Sequence, residues 1–391
     1  MHGKAKLVRH LYEGRAIAPI WDALMARANA NADACDAFMD LSVILQATGK
    51  AEKARIAQKA ALEISRTYQI KHGDGSGLRV LAFVTAGDFM ANTPIEFLVE
   101  KSNCTLLLYY VDSETTSLLE APDHDVAFLA VGESPDNAPV LENLAILLSA
   151  WRGPILNNAP YKIKSLTRHD VALRLANEPS ISSPPCVIAD RETLVCLKLG
   201  KAKCDLPIPD HSSPIVIRPV GTHAGKGMSK IDGLHDLDVY LSEHNHAEYY
   251  ISAFVDYRSP DGLFRKHRIA FIDGAAFACH SAISDNWMVH YLSAGMETDA
   301  WRRADEAEWM RTFETNFALR HAEAFHAMHR LLGLDYFAID CAELADGRLL
   351  LFEADVAMIV HALDRESVFP YKKEPMDKLF SAFEAALRAR C

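Results

Sequence analysis

Tyr336-Phe337-Ala338-Ile339-Asp340-Cys341-Ala342-Glu343-Leu344, then Ala345-Asp346-Gly347-Arg348, then Leu349-Leu350-Leu351-Phe352-Glu353-Ala354-Asp355 is the most informative segment of the chain. Two apolar runs of strand length flank Asp346-Gly347, a pair that favours the two-residue turn of a β-hairpin. With that turn Ala345 faces Arg348, and the same register sets Asp340 opposite Glu353. Side chains alternate along a strand, so Asp355 shares the face of Glu353. Opposed carboxylates repel each other across a sheet, and half-buried ones need a compensating cation. Oxygen donors without Cys or His favour Mg²⁺ or Mn²⁺, with substrate phosphates completing the shell. Asp340, Glu353 and Asp355 are therefore expected as metal ligands. The alternative is an edge hairpin whose acids face water.

Upstream, Pro214-Ile215-Val216-Ile217-Arg218-Pro219-Val220 reads as a strand that runs into Gly221-Thr222-His223-Ala224-Gly225-Lys226-Gly227-Met228. The glycine spacing departs from GxxxxGK[ST], and Met228-Ser229-Lys230-Ile231 reads as a returning strand where a P-loop needs a helix. A glycine hairpin without Cβ atoms still lets backbone N–H groups approach phosphate. Arg218 and Lys226 would add charge-assisted contacts. A plain surface hairpin is the other reading.

Further out, residues 1–70 read as helical, with one run through Ala34, Ala37, Phe38, Leu41, Ile44 and Leu45 and another through Ala54, Ala57, Ala61, Ile64 and Tyr68. Thr48-Gly49-Lys50 separates this helical pair, which resembles one tetratricopeptide unit. Lys71–Gly77 reads as a Gly-rich linker. Leu78–Val84, Thr105–Val111 and Val126–Val131 read as strands, with Pro154–Asn157 a fourth and helices over Pro94–Lys101 and Ala138–Ala150 between them. Residues 165–200 read as mostly helical, broken at Ser182–Pro185. Strands and hairpins follow from about residue 212, then a long helix over 303–331, the acidic hairpin, and an amphipathic helix over Met376–Arg390. The expected class is α/β and α+β multidomain. It divides into a helical segment over 1–72, a small parallel α/β domain over 76–160 and a two-lobed domain over 161–391.

Composition sets outer bounds. The formal charge of −11 argues against a nucleic-acid partner. Residues 1–75 carry 11 Lys/Arg against 8 Asp/Glu, so the acidity lies downstream. No stretch reaches 18 apolar residues, which predicts no membrane span. The N-terminus lacks a secretory apolar core, and the eight cysteines lack CxxC spacing and read as reduced, mostly buried thiols. A cytoplasmic location is the expectation.

Four blocks together resemble the ATP-grasp superfamily, above all its RimK-like members with an N-terminal tetratricopeptide segment. They are Ile217–Met228, Tyr249–Asp256, Arg265–Gly274, and Ile339-Asp340 with Phe352–Asp355. The resemblance implies ATP held between two lobes, with Arg191 and Arg218 as phosphate-contacting cations and Gly221, Gly225, Lys226 and Gly227 in the lid loop. Ser252, Ala253, Phe254 and Val255 would form the adenine hinge, and Arg268 would be the catalytic arginine at the acyl phosphate. Asp340, Glu353 and Asp355 match the metal ligands. Two lysines usual in the family are arginines here, and the usual final Asn is Asp355. Arginine keeps the charge and binds phosphate bidentately.

The implied activity is amide formation by an ATP- and Mg²⁺-dependent (or Mn²⁺-dependent) carboxylate–amine ligase acting on an amino acid, a peptide or a protein tail. A catalytically altered nucleotide-binding scaffold and a kinase on the same fold are the alternatives. Lys266, His280, His290 and His361 are candidate substrate contacts. The N-terminal helices are a candidate surface for a protein partner, and a homodimer is left open.

Overall fold

A computed structural model describes residues 1–198, 214–222 and 225–391; His223 and Ala224 of the glycine loop, and Cys204 of the eight cysteines, lie outside the described residues. Four helices, Lys4–Tyr12, Ala18–Ala30, Cys35–Ala47 and Ala51–Ile64, open the chain in place of the expected pair. The last stops before Tyr68. Ser65 turns to extended backbone, and Thr67–Lys71 forms strand β1 with its side chains alternately buried and exposed. Tyr68 meets the helical spacing because its hydroxyl reaches back to the carbonyl of Ala61 at 2.8 Å. The segment over 1–72 therefore ends inside the next domain's sheet.

That sheet has β2 (Arg79–Val84), β3 (Thr105–Tyr110), β4 (Val126–Leu129) and β5 (Ile155–Leu156). Its order is β1-β3-β2-β4-β5, parallel except for β1, which pairs antiparallel with β3. The helix expected over Pro94–Lys101 shrinks to Ile95–Leu98, whereas Ala138–Ser149 matches its reading.

Downstream, the stretch expected to be mostly helical contains β6 (Ile181–Ser182) and β7 (Cys186–Asp190) between the helices Arg168–Leu175 and Arg191–Lys198. Both strands are too short to show a period. Then come β8 (Ile215–Pro219), β9 (Ser229–Ile231), the unexpected helix Leu234–Glu243, β10 (Glu248–Ala253), β11 (Phe264–Ile272), β12 (Ala275–Ser284), β13 (Tyr336–Glu343) and β14 (Leu349–Asp355). The described strands assemble as a four-stranded sheet β7-β10-β8-β9 and a five-stranded sheet β12-β11-β13-β14-β6. The long helix over 303–331 is interrupted: Ala300–Thr312 passes through a π-helical turn at Phe313–Phe317 before Ala322–Leu332.

The four-stranded lobe has its own core of Ile215, Ile217, Leu237, Tyr240, Tyr249 and Ile251. The five-stranded sheet instead shares continuous cores with the parallel sheet, Phe128, Tyr336 and Phe383 among them. Asn157 joins the two, donating to the carbonyl of Tyr336 at 2.7 Å and accepting its N–H at 2.8 Å. No described helix is long and apolar enough to cross a membrane. Cys104, Cys279 and Cys341 are buried free thiols, while Cys391 is exposed.

Candidate active site

The β13–β14 hairpin reaches the expected register by a different route. Leu344 N–H donates to Arg348 O, and Gly347, at φ +85°, donates to Leu344 O. The loop is thus Ala345-Asp346-Gly347, three residues closed by a left-handed glycine. This shifts the pairing by one, so Cys341 faces Leu351. Phe352 is then an extra residue on β14, a bulge that returns Asp340 to a position opposite Glu353 and sets Ala338 opposite Asp355.

Across the sheet, His280 on β12, Arg268 on β11, Asp340 on β13 and Glu353 on β14 stand in one row. They face a cleft of about 690 Å³ between the two sheets, also lined by Arg168, Arg218, Tyr250, Lys266 and Asp355.

Asp340 is paired with two side-chain cations. At 1% exposure, this carboxylate accepts from Lys266 Nζ at 2.8 Å and from Arg268 Nε at 2.8 Å. Those charges outweigh burial and hold its pKa far below the carboxylate range. Glu353 is taken by Arg168. Among the described residues no group of three Asp, Glu, His or Cys side chains is arranged to hold a metal ion, while Asp340, Glu353 and Asp355 all line the cleft. Asp355 differs. It accepts the N–H of Ala357 at 2.9 Å, and its pKa rises to about 7 through burial and the charge of Glu353. Glu133, beside it from the parallel-sheet domain, is also pushed to about 7, by burial and by Asp355. Of the three acids, Asp355 alone has no side-chain ion pair among the described residues.

The opposite sign dominates on the other wall. Arg218 on β8 pairs across to Tyr250 on β10. It is 8% exposed and forms no ion pair with a carboxylate among the described residues. It donates to Thr222 O, and its Nε has no hydrogen-bond partner among the described residues. Burial, then repulsion from Arg168, lowers its pKa to about 10. Arg168 lies over the ring of Tyr250 at 5.8 Å. Arg168, Arg218, Lys266 and Arg268 thus face the two ionised carboxylates of Asp340 and Glu353. An excess of buried cations in a cleft is a site for anions.

Arg168 escaped the sequence reading. Its neighbourhood does carry a helix-start signal: Thr167 accepts the N–H of Asp170 at 3.1 Å. That signal locates a helix and says nothing about which face meets the cleft.

The remaining expected residues divide. Gly225 lines the cleft at φ +69°, where a Cβ would stand 2.2 Å from His290 Nε2. Gly221 and Gly227 also have positive φ but do not line the cleft, and neither does the exposed Lys226. Ser252, Ala253, Phe254 and Val255 line it at the end of β10, and Phe254 N–H donates to Pro214 O at 2.9 Å. Arg191 stands outside. Its guanidinium donates to Leu241 O and His244 O, both at 2.6 Å, closing the C-terminus of Leu234–Glu243. In this structure it caps a helix rather than facing a ligand.

His280, His290 and His361 all line the cleft, and burial lowers the pKa of each, that of His361 to about 4. His361 Nδ1 accepts the N–H of Leu363 at 3.1 Å, which assigns the proton to Nε2.

No family model matches the chain, and no curated protein does. Solved structures are similar in fold. A D-alanine–D-alanine ligase from Bacillus anthracis complexed with ATP is 13% identical, covering 80% of this chain and 98% of its own at a TM-score of 0.45. The D-alanine–D-alanine ligase from Coxiella burnetii is 9% identical over 80% and 96%, with a TM-score of 0.48. A RimK domain ATP-grasp protein from Sphaerobacter thermophilus is 11% identical over 79% and 99%, with a TM-score of 0.43.

Proposed function

We propose that the cleft binds Mg-ATP and that the protein is an ATP-dependent carboxylate–amine ligase. One observation carries the reading: Arg218 is buried with no carboxylate partner among the described residues, beside Arg168, in a nucleotide-sized cleft. Phosphate oxygens supply the missing counter-charge.

The residues divide the work. Arg218 and Arg168 hold the phosphates, and the strand end at Ser252–Val255 offers its backbone to the base. Glu353 and Asp355 would hold a divalent ion, which supplies charge neutralisation at the transferring phosphoryl group. Arg168 must then exchange Glu353 for phosphate. Arg268 and Lys266, fixed by Asp340, orient the substrate carboxylate and stabilise charge on the acyl phosphate. A carboxylate oxygen bonds to the γ-phosphorus as ADP leaves. The amine nitrogen then bonds to the acyl carbon, phosphate leaves, and a proton is released. With their pKa values lowered, His280 and His361 enter as neutral hydrogen-bonding groups.

The test is phosphate release from Mg-ATP against paired acids and amines. Glu353→Ala is expected to abolish a signal that the native protein gives. Unchanged release in that variant contradicts the assigned site.

A further inference from the structure

One sector of the cleft wall comes from the N-terminal helices. Tyr12, the last residue of the helix Lys4–Tyr12, and Met90 of the parallel-sheet domain line the cleft together with Tyr291, Met358 and His361. The helix is fastened at that point. Arg9 donates to both carboxylate oxygens of Glu100, at 2.7 and 2.6 Å, and to Ala362 O at 3.1 Å. Ala5, Phe97 and Leu363 form a buried apolar knot on which Val8 and Tyr12 pack. Tyr12 Oη donates to Asp364 at 3.3 Å, and its ring stands 6.3 Å from that of His361.

The segment so clamped, 357–364, also serves the reaction centre. Ile359 O accepts from Arg268 Nη1 at 3.0 Å, so the helix braces the backbone that orients Arg268. The chemistry of this sector is distinct from the charged rows elsewhere in the cleft. Asp364 is neutralised by Lys372 at 2.7 Å, and His280 and His361 are kept uncharged by burial. What remains facing the cleft is aromatic ring, thioether and aliphatic surface.

We infer that the helix Lys4–Tyr12 is part of the catalytic cleft, and that Tyr12 is a specificity-determining residue selecting an amine with an apolar, uncharged side chain. This rests on the ligase reading above. It gives the N-terminal helices a task within the chain, one of the two roles open to them on sequence, packing on their own catalytic domain or meeting a protein partner.

Two measurements on the full chain test it. The first needs no substrate: amide hydrogen exchange is compared between the native protein and Arg9→Ala. Exchange over 357–364 is expected to speed at least tenfold while the strands of the four-stranded lobe keep their protection; unchanged exchange overturns the bracing role. The second measures phosphate release from Mg-ATP with the free amino acids, singly and in pairs. Native protein is expected to respond most to leucine, methionine and phenylalanine. Tyr12→Ala is expected to raise KM for these at least tenfold while KM for ATP moves less than twofold, and Tyr12→Phe is expected to keep the native ranking. A Tyr12→Ala variant with the native ranking and KM values overturns the selectivity, as does a native response confined to charged amino acids. A native protein that binds Mg-ATP yet releases phosphate with no amino acid removes the ligase reading and the selectivity with it. One that binds no Mg-ATP removes the nucleotide reading as well, and in both cases hydrogen exchange still decides the bracing role.

Discussion

Replacing Arg218 with Met removes a charge that the folded chain holds unfavourably. Burial and Arg168 bring its pKa from 12.5 to about 10, and at 1.36 kcal/mol per unit this is roughly 3 kcal/mol against the charged form. The lowered value belongs to a cation, so the penalty is complete at neutral pH. It is relieved only as pH rises through the folded value, and the variant's advantage is therefore constant between pH 5 and 8. The hydrogen bond to Thr222 O is lost in exchange, at roughly 1.5–3 kcal/mol. Arg218→Met is thus expected to stabilise the unliganded protein by up to roughly 1.5 kcal/mol. Each charge-assisted hydrogen bond to phosphate contributes roughly 1.5–3 kcal/mol, so affinity for Mg-ATP is expected to fall roughly 10- to 150-fold. Urea unfolding is followed for both proteins, without nucleotide and then at a hundred times the native Kd. Nucleotide adds about 2.7 kcal/mol to the native protein and far less to the variant. A variant less stable than native without nucleotide, or equal stabilisation of both by nucleotide, refutes the reasoning.

Asp340→Asn leaves Lys266 and Arg268 without their shared carboxylate and is expected to cost roughly 3–5 kcal/mol. Because the native carboxyl titrates far below its usual range, chemical unfolding should show the same loss at pH 5 and pH 8. Gly225→Ala meets both a positive φ and His290 Nε2, so a loss of roughly 1–2 kcal/mol from backbone alone is expected, plus the clash. Adding His290→Ala should recover the clash share, read as a coupling of roughly 0.5–3 kcal/mol in a double-mutant cycle. Glu133 has a folded pKa of about 7 against an ordinary 4.5, so the native protein loses stability as pH climbs through that interval. Glu133→Gln should match native stability at pH 4 and exceed it at pH 8, as thermal unfolding at the two pH values would show.

The charged row was legible in the sequence because alternation along a strand is robust to small errors of turn. Asp340 met Glu353 although the loop has three residues instead of two, since the bulge at Phe352 restores the register. Neither departure has a signature in Asp346-Gly347 alone. Polar chemistry was read less well. The side-chain cations at Asp340 are not read from its own hairpin: Lys266 and Arg268 come from β11, 74 and 72 residues before it, and only the strand order β11-β13 brings them near. Arg191 and Arg168 illustrate the same limit. Both open short helices, and only tertiary packing sends one to a helix C-terminus and the other to the cleft. The helix Leu234–Glu243 and strand β7 were missed because each is short and bordered by polar residues.

The five residues Thr67–Lys71 bind the fate of the N-terminal helices to that of the parallel sheet. Strand β3 is almost wholly buried, and β1 shields its outer backbone groups from neighbouring molecules. A fragment begun at the Gly-rich segment 71–77 would present that apolar border bare. Self-association, rather than a trimmed and soluble enzyme, is the expected product of such a cut.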